Sequence, residues 1–197
     1  ADKMTMGASA MWYTTDTKIP QLFPEFDYGI EFNEQNYQDE TKGDWEWETG
    51  MNYDQIKDFE RIRDYGLLAI YSNWSFMKNK LNKYPNHKLE WVAYISGKRE
   101  SRRLIGDYIL KEDDITQYKV YNDGTATTTW TIDLHYPKNE PGITDAFKAG
   151  TVHTQIFPYP IPYRCFYSKN IENLFMAGRN LLSRYISCNT ACPCPLP

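Results

Sequence analysis

One periodicity constrains this chain more than anything else in it. Between residues 53 and 82, apolar side chains recur three or four apart at Ile56, Phe59, Ile62, Ile70, Trp74, Met77 and Leu81, with Gly66 filling the one gap in the series. Side chains at that spacing share one face of a 3.6-residue turn, so the segment predicts a single long amphipathic helix over about residues 53–82. Asn52 is a candidate N-cap, and Asp54 lies in the first turn, where the helix dipole favours an anion. Lys78, Lys80 and Lys83 crowd the far end, and Pro85 prevents continuation. An interior glycine costs about 1 kcal/mol relative to alanine. Gly66 on the stripe itself therefore predicts close approach of another backbone.

The remainder reads as strands and turns. Residues 89–96, 104–110, 125–135, 163–167 and 174–177 are candidate strands, and Lys111-Glu112-Asp113-Asp114-Ile115 is a short helix start. Asn122-Asp123-Gly124 is a turn signal, and residues 136–162 are rich in Pro and Gly and read as an excursion. Strands, one long helix, then more strands give an α+β class with a mostly antiparallel sheet. Residues 1–180 read as one region. Residues 181–197, which hold Cys188, Cys192 and Cys194 among prolines, read as an atypical disordered tail.

Composition excludes several classes. A hydrophobic fraction of 41% in 197 residues is too high for a disordered chain. A net charge of -4 argues against wholesale nucleic-acid binding. No apolar run approaches membrane-spanning length, and no signal peptide precedes the first strand-like residues. Acidity is concentrated in residues 25–48, where nine acids face one base, Lys42; this stretch reads as solvated and loop-rich with a short strand. The cysteine spacing and the absence of a nearby His argue against a metal site.

The self-contained enzyme signatures are missing. No two of the eleven glycines are separated by a single residue, so there is no Gly-x-Gly-x-x-Gly dinucleotide turn. There is likewise no Gly-x-Ser-x-Gly elbow and no His-Glu-x-x-His zinc helix. Three other patterns bear on chemistry. Gly97-Lys98-Arg99-Glu100-Ser101-Arg102-Arg103 packs four bases around one acid. Its guanidinium forks suit a carboxylate or phosphate, or else a salt-bridge network with Asp107, Glu112, Asp113 and Asp114. Asp133 and His135 lie two apart on one strand face, placed either as an acid–base pair or as part of a solvated face. Trp45 and Trp47 alternate with Asp44, Glu46 and Glu48; a strand there would put both tryptophans on one face, as core or as a stacking platform for sugar rings.

Three stretches then carry a resemblance: Met4-Thr5-Met6-Gly7-Ala8-Ser9-Ala10-Met11; Gly97 to Tyr108, containing Arg99, Glu100, Arg102, Arg103 and Gly106; and Ile161-Pro162-Tyr163-Arg164 followed by Asn170-Ile171-Glu172-Asn173-Leu174-Phe175-Met176-Ala177-Gly178-Arg179-Asn180. Together they resemble the FAD-dependent oxidoreductase family with a glutathione-reductase-like flavin fold, common in polysaccharide-degrading bacteria. The resemblance implies that these residues are the substrate-side part of a two-domain flavoprotein whose Rossmann segment and closing helix lie elsewhere. It implies FAD in the full-length enzyme, and a chain that alone holds none and is inactive. Gly178, Arg179 and Asn180 match the turn that meets the flavin, and Arg99, Arg102 and Arg103 match the Arg-rich motif. The candidate catalytic residues are therefore Arg99, Arg102, Arg103, Asp133 and His135, and the candidate substrate-binding residues are Arg164, Trp45 and Trp47. The expected partners are the missing Rossmann segment and a small-molecule or sugar-derived substrate, with dimerisation through exposed apolar faces. A carbohydrate-binding or polysaccharide-processing module is the alternative reading.

Overall fold

The periodic segment folds as α1 (Phe59–Asn79), in a computed structural model that describes residues 6–26, 28–99, 102–180 and 183–184. Glu100 and the cysteines of the tail lie outside the described residues, as does almost all of the 181–197 segment expected to be disordered. The helix is shorter than its periodicity suggests. Asp54 accepts hydrogen bonds from the amides of Ile56 and Lys57 through its side chain and from Asp58 through its carbonyl, which folds residues 54–58 into a turn of their own. Ile56 is accordingly exposed, and Asp58, not Asn52, occupies the N-cap position. At the other end Asn82 takes a left-handed φ of 51°, and the amides of Leu81 and Lys83 reach back to the carbonyls of Phe76 and Met77.

The class is α+β with mostly antiparallel pairing, and the chain divides into two compact units. The first comprises residues up to Lys98 together with Tyr136–Gly150. It pairs β1 (Ala8–Ser9) with β4 (Glu48–Thr49), and sets β2 (Trp12–Asp16) between β3 (Lys42–Gly43) and β5 (His87–Val92), all antiparallel. Its core is aromatic. Trp12 meets Trp47 edge to face at 5.2 Å and 85°, Trp74 lies 6.2 Å from Trp12, and Phe147 packs on Trp47 at 5.3 Å. Such pairs contribute about 0.5–1.5 kcal/mol each beyond their buried area. Gly43 is required here, because a Cβ would stand 2.0 Å from Trp12 Nε1.

Gly66 is closely approached, but by side chains and not by a backbone: a Cβ there would lie 3.0 Å from the Cβ of Ala10 and 3.4 Å from the Thr49 hydroxyl. In the C-terminal half of α1 the side away from the stripe is buried too, while Glu60, Arg61 and Asp64 stay exposed in the first half. Ser72, Asn73 and Ser75 are buried. Their side chains bond the backbone of Ile30, Gln38, Phe26 and Pro24, so the acidic stretch is strapped to the helix. Glu48, expected on a solvated face, is fully buried, and Lys148 pairs with Glu40.

The second unit comprises Arg99–His135 and the residues from Thr151 onward. It contains β6 (Leu110–Lys111), α2 (Glu112–Thr116) and β7 (Gly124–Thr128); β8 (Ile132–Pro137) and β9 (Ala149–Thr154) pair with each other and run across the chain division. β10 (Tyr159–Pro162) pairs antiparallel with β7, and β11 (Ser183–Arg184) pairs parallel with β6. Its core is Leu110, Ile115, Ile132, Tyr159, Ile161 and Cys165. Three expected strands are corrected. Residues 104–110 are bent at Asp107 and Tyr108, leaving only β6; Tyr163–Cys165 is a 3-10 turn; and residues 174–177 contribute one bridge, Tyr167 to Phe175. Part of the supposed excursion is strand, namely β9 and β10.

Gly66→Leu forces a branched side chain against Ala10 and Thr49 and is expected to destabilise the chain by about 1–3 kcal/mol. Urea denaturation measures this, and an unchanged midpoint would show that the helix does not press on the β1–β4 pair.

Candidate functional site

Within the second unit the two most distinctive sequence stretches become hydrogen-bonded neighbours. The Leu104 amide donates to the Asn180 carbonyl at 2.6 Å, Lys169 to the carbonyl of Ile105 at 2.8 Å, and Tyr108 to that of Arg164 at 3.3 Å. Between them Gly106 is so close to the partner backbone that a Cβ would stand 2.6 Å from the Arg164 carbonyl oxygen. The Tyr167 hydroxyl adds a bond to Asp107 at 2.7 Å. The Arg-rich motif thus leads directly onto the 3-10 turn Gly178–Asn180, where Gly178 takes a φ of 71° that favours glycine.

The continuous strand expected over residues 125–135 breaks at 129–131, between β7 and β8. The break changes which residues face inward. Ala126 and Thr128 are the inward residues of β7. In β8 the inward pair is Asp133 and His135, at 4% and 5% exposure, while Leu134 is half exposed. The expected solvated polar face is therefore buried here. His135 Nε2 lies 3.2 Å from Asp133 Oδ2. A guanidinium nitrogen of Arg99 lies 3.4 Å from Nε2 and 3.5 Å from Nδ1. Because Nε2 faces a carboxylate, it carries the proton in the neutral ring and leaves Nδ1 as the acceptor. His153 of β9 places Nδ1 3.6 Å from Asp133 Oδ1 and 3.4 Å from the Thr131 hydroxyl. This histidine lies in the segment expected to be an excursion; the β-branched residues around it, Thr151, Val152 and Thr154, are the strand signal in the sequence. Among the described residues no group of His, Cys, Asp and Glu is arranged to hold a metal ion.

The other expected site residues are dispersed. Arg102 is exposed and Arg103 half-buried. Arg164 forks onto Asp123 at 2.8 and 3.1 Å and lies over the Tyr108 ring. That hydrogen-bonded pairing holds Asp123 below the usual carboxylate range and raises the guanidinium. Beside it is a network that the sequence did not reveal. Tyr108 donates to Asp114 at 2.7 Å and accepts from Lys119 at 2.9 Å and Tyr121 at 3.2 Å. Burial, then the bond to Tyr108, pushes the Tyr121 phenol up, and burial pushes the Cys165 thiol up to about 11.

In the first unit, Trp45 and Trp47 do not form the expected platform. Residues 44–47 are a turn, closed by the Trp47 amide on the Asp44 carbonyl, so the two side chains diverge. Trp47 is buried with its indole N–H on Glu40 at 2.6 Å, whereas Trp45 is 61% exposed.

The family model described as FAD dependent oxidoreductase matches residues 6–187, and the chain belongs to that family. No curated protein and no solved structure matches it. A flavin dinucleotide asks for a helix N-terminus that welcomes its diphosphate. The two α-helices among the described residues suit it poorly: α1 opens on Asp58 and Glu60, and α2 on Glu112, Asp113 and Asp114.

Asp114 anchors this unit. Burial opposes its charge, but bonds from the Tyr108 hydroxyl, the Lys111 amide and the Lys119 ammonium hold it below its ordinary 3.8. A carboxyl depressed in the folded state stabilises above its unfolded value and loses that contribution as pH falls through the folded one. Asp114→Asn is expected to cost about 1.5–3 kcal/mol near neutrality and to flatten the acid limb of a stability–pH curve; a parallel curve would assign the acid sensitivity elsewhere.

Proposed function

We propose that the chain is the substrate-side portion of a FAD-dependent oxidoreductase of glutathione-reductase-like type, and that it does not hold FAD by itself. The observation that carries this reading is the junction of Leu104, Gly106 and Asn180. It brings the Arg-rich motif against the Gly178–Asn180 turn, joining two of the three stretches that carry the resemblance. The acidic helix starts support the second half: neither offers a diphosphate an electrostatically favourable seat. The diphosphate is to be gripped by a Rossmann segment of the same protein outside these residues, and Gly178, Arg179 and Asn180 would meet the flavin only once that segment is present.

Asp133 and His135 are the acid–base pair of this reading. The carboxylate orients the ring through Nε2, so a proton is exchanged at Nδ1. Arg99, beside that ring, supplies the fixed positive charge for an anionic group of a small-molecule substrate, with Arg102 and Arg103 next to it in the chain.

Mixed with FAD and desalted, the 197-residue chain is expected to retain no flavin absorbance; a stable one-to-one yellow complex would overturn the proposal. In a longer polypeptide that does retain flavin, His135→Gln is expected to slow turnover by about 100-fold or more. Full turnover in that variant would remove His135 from the chemistry.

A further inference from the structure

We propose that His153 is the solvent-side member of a three-residue acid–base unit, His135–Asp133–His153, in which one buried carboxylate is shared by a buried and a half-exposed imidazole. The inference rests on the reading of Asp133 and His135 as the acid–base pair and adds to it a residue that sets their charge state.

The geometry is specific. Each carboxylate oxygen of Asp133 faces a different imidazole, Oδ2 towards His135 Nε2 at 3.2 Å and Oδ1 towards His153 Nδ1 at 3.6 Å. The first is hydrogen-bond distance and the second ion-pair distance. Burial divides the roles: the side chains of Asp133 and His135 are 6% and 2% exposed, and that of His153 is 50% exposed. The three sit on the β8–β9 pair, which fixes their spacing through backbone bonds instead of loop conformation. Facing His135 are the Asp133 carboxylate and the Arg99 guanidinium; facing His153 are the Asp133 carboxylate and the uncharged Thr131 hydroxyl.

One carboxylate cannot neutralise two imidazolium ions as well as it neutralises one, and Arg99 already adds a positive charge beside His135. When His153 takes a proton from water, its charge competes for Asp133. The carboxylate then holds the proton on His135 less firmly, and His135 releases it more readily to an acceptor at Nδ1. The proton gained at His153 and the proton lost at His135 balance. Two sites coupled in this way titrate as a pair.

Ring-proton NMR titration of the full 197-residue chain reads the coupling directly. The chain has three histidines, so His87→Gln leaves only the pair. With His153→Gln added, the carboxylate no longer faces a second imidazole, and the His135 midpoint is expected to rise by more than about 0.3 pH units. Asp133→Asn, which removes the carboxylate facing His135 Nε2, is expected to lower the His135 midpoint. Should that buried substitution unfold the chain, the half-exposed His153→Gln variant decides the matter alone. A His135 that does not titrate, or whose midpoint stays within about 0.3 units of its original value without His153, overturns the proposal. The readout uses neither flavin nor substrate. Failure here therefore leaves the oxidoreductase reading intact, and full turnover of a flavin-bearing His135→Gln polypeptide would sink that reading without touching the coupling.

Discussion

The close approach of two backbones at Gly106 is the constraint on which the second unit depends. A side chain there would run into the carbonyl of Arg164, and the bonds on either side, Leu104 to Asn180 and Tyr108 to Arg164, span the same contact. These bonds join segments more than fifty residues apart in sequence, so their closure costs chain entropy that local propensity cannot offset. The apolar cluster of Leu110, Ile115, Tyr159, Ile161 and Cys165 supplies the compensating burial, and the Tyr108–Asp114–Lys119–Tyr121 network satisfies polar groups at its edge.

That same unit buries charged groups on one face of a strand. Asp133 and His135 face inward on β8 while Leu134 faces out. Burying an ionisable side chain is costly unless it is paired, and here the two groups pair with each other, with Arg99 against the ring. An inversion of this kind exchanges packing for a fixed constellation of proton donors and acceptors. It is the arrangement expected where a fold serves chemistry in preference to stability.

The first unit follows the opposite logic. α1 packs its stripe on the β1–β4 pair through Gly66 and Ala10, and its Ser72, Asn73 and Ser75 hold the acidic stretch by backbone hydrogen bonds. Trp12, Trp47 and Trp74 fill the centre. Lys78 closes the end of the helix on the carbonyls of Tyr84, Pro85 and His87, and burial there lowers its pKa.

The sequence by itself determined the helix, the turn at Asn122-Asp123-Gly124, the short helix after Lys111, the tight contact at Gly66 and the α+β class. Those features follow from periodicity, turn chemistry and steric fit within a few neighbouring residues. It also placed Asp133 and His135 on one strand face. Only the tertiary structure decided that this face turns inward, that Arg99 and His153 join it, that Trp45 and Trp47 part company at a turn, and that Arg164 is held by Asp123. Period-two alternation says which side chains share a face but not which face is buried. That choice is made by the break between β7 and β8 and by partners brought from distant parts of the chain, which no local pattern encodes.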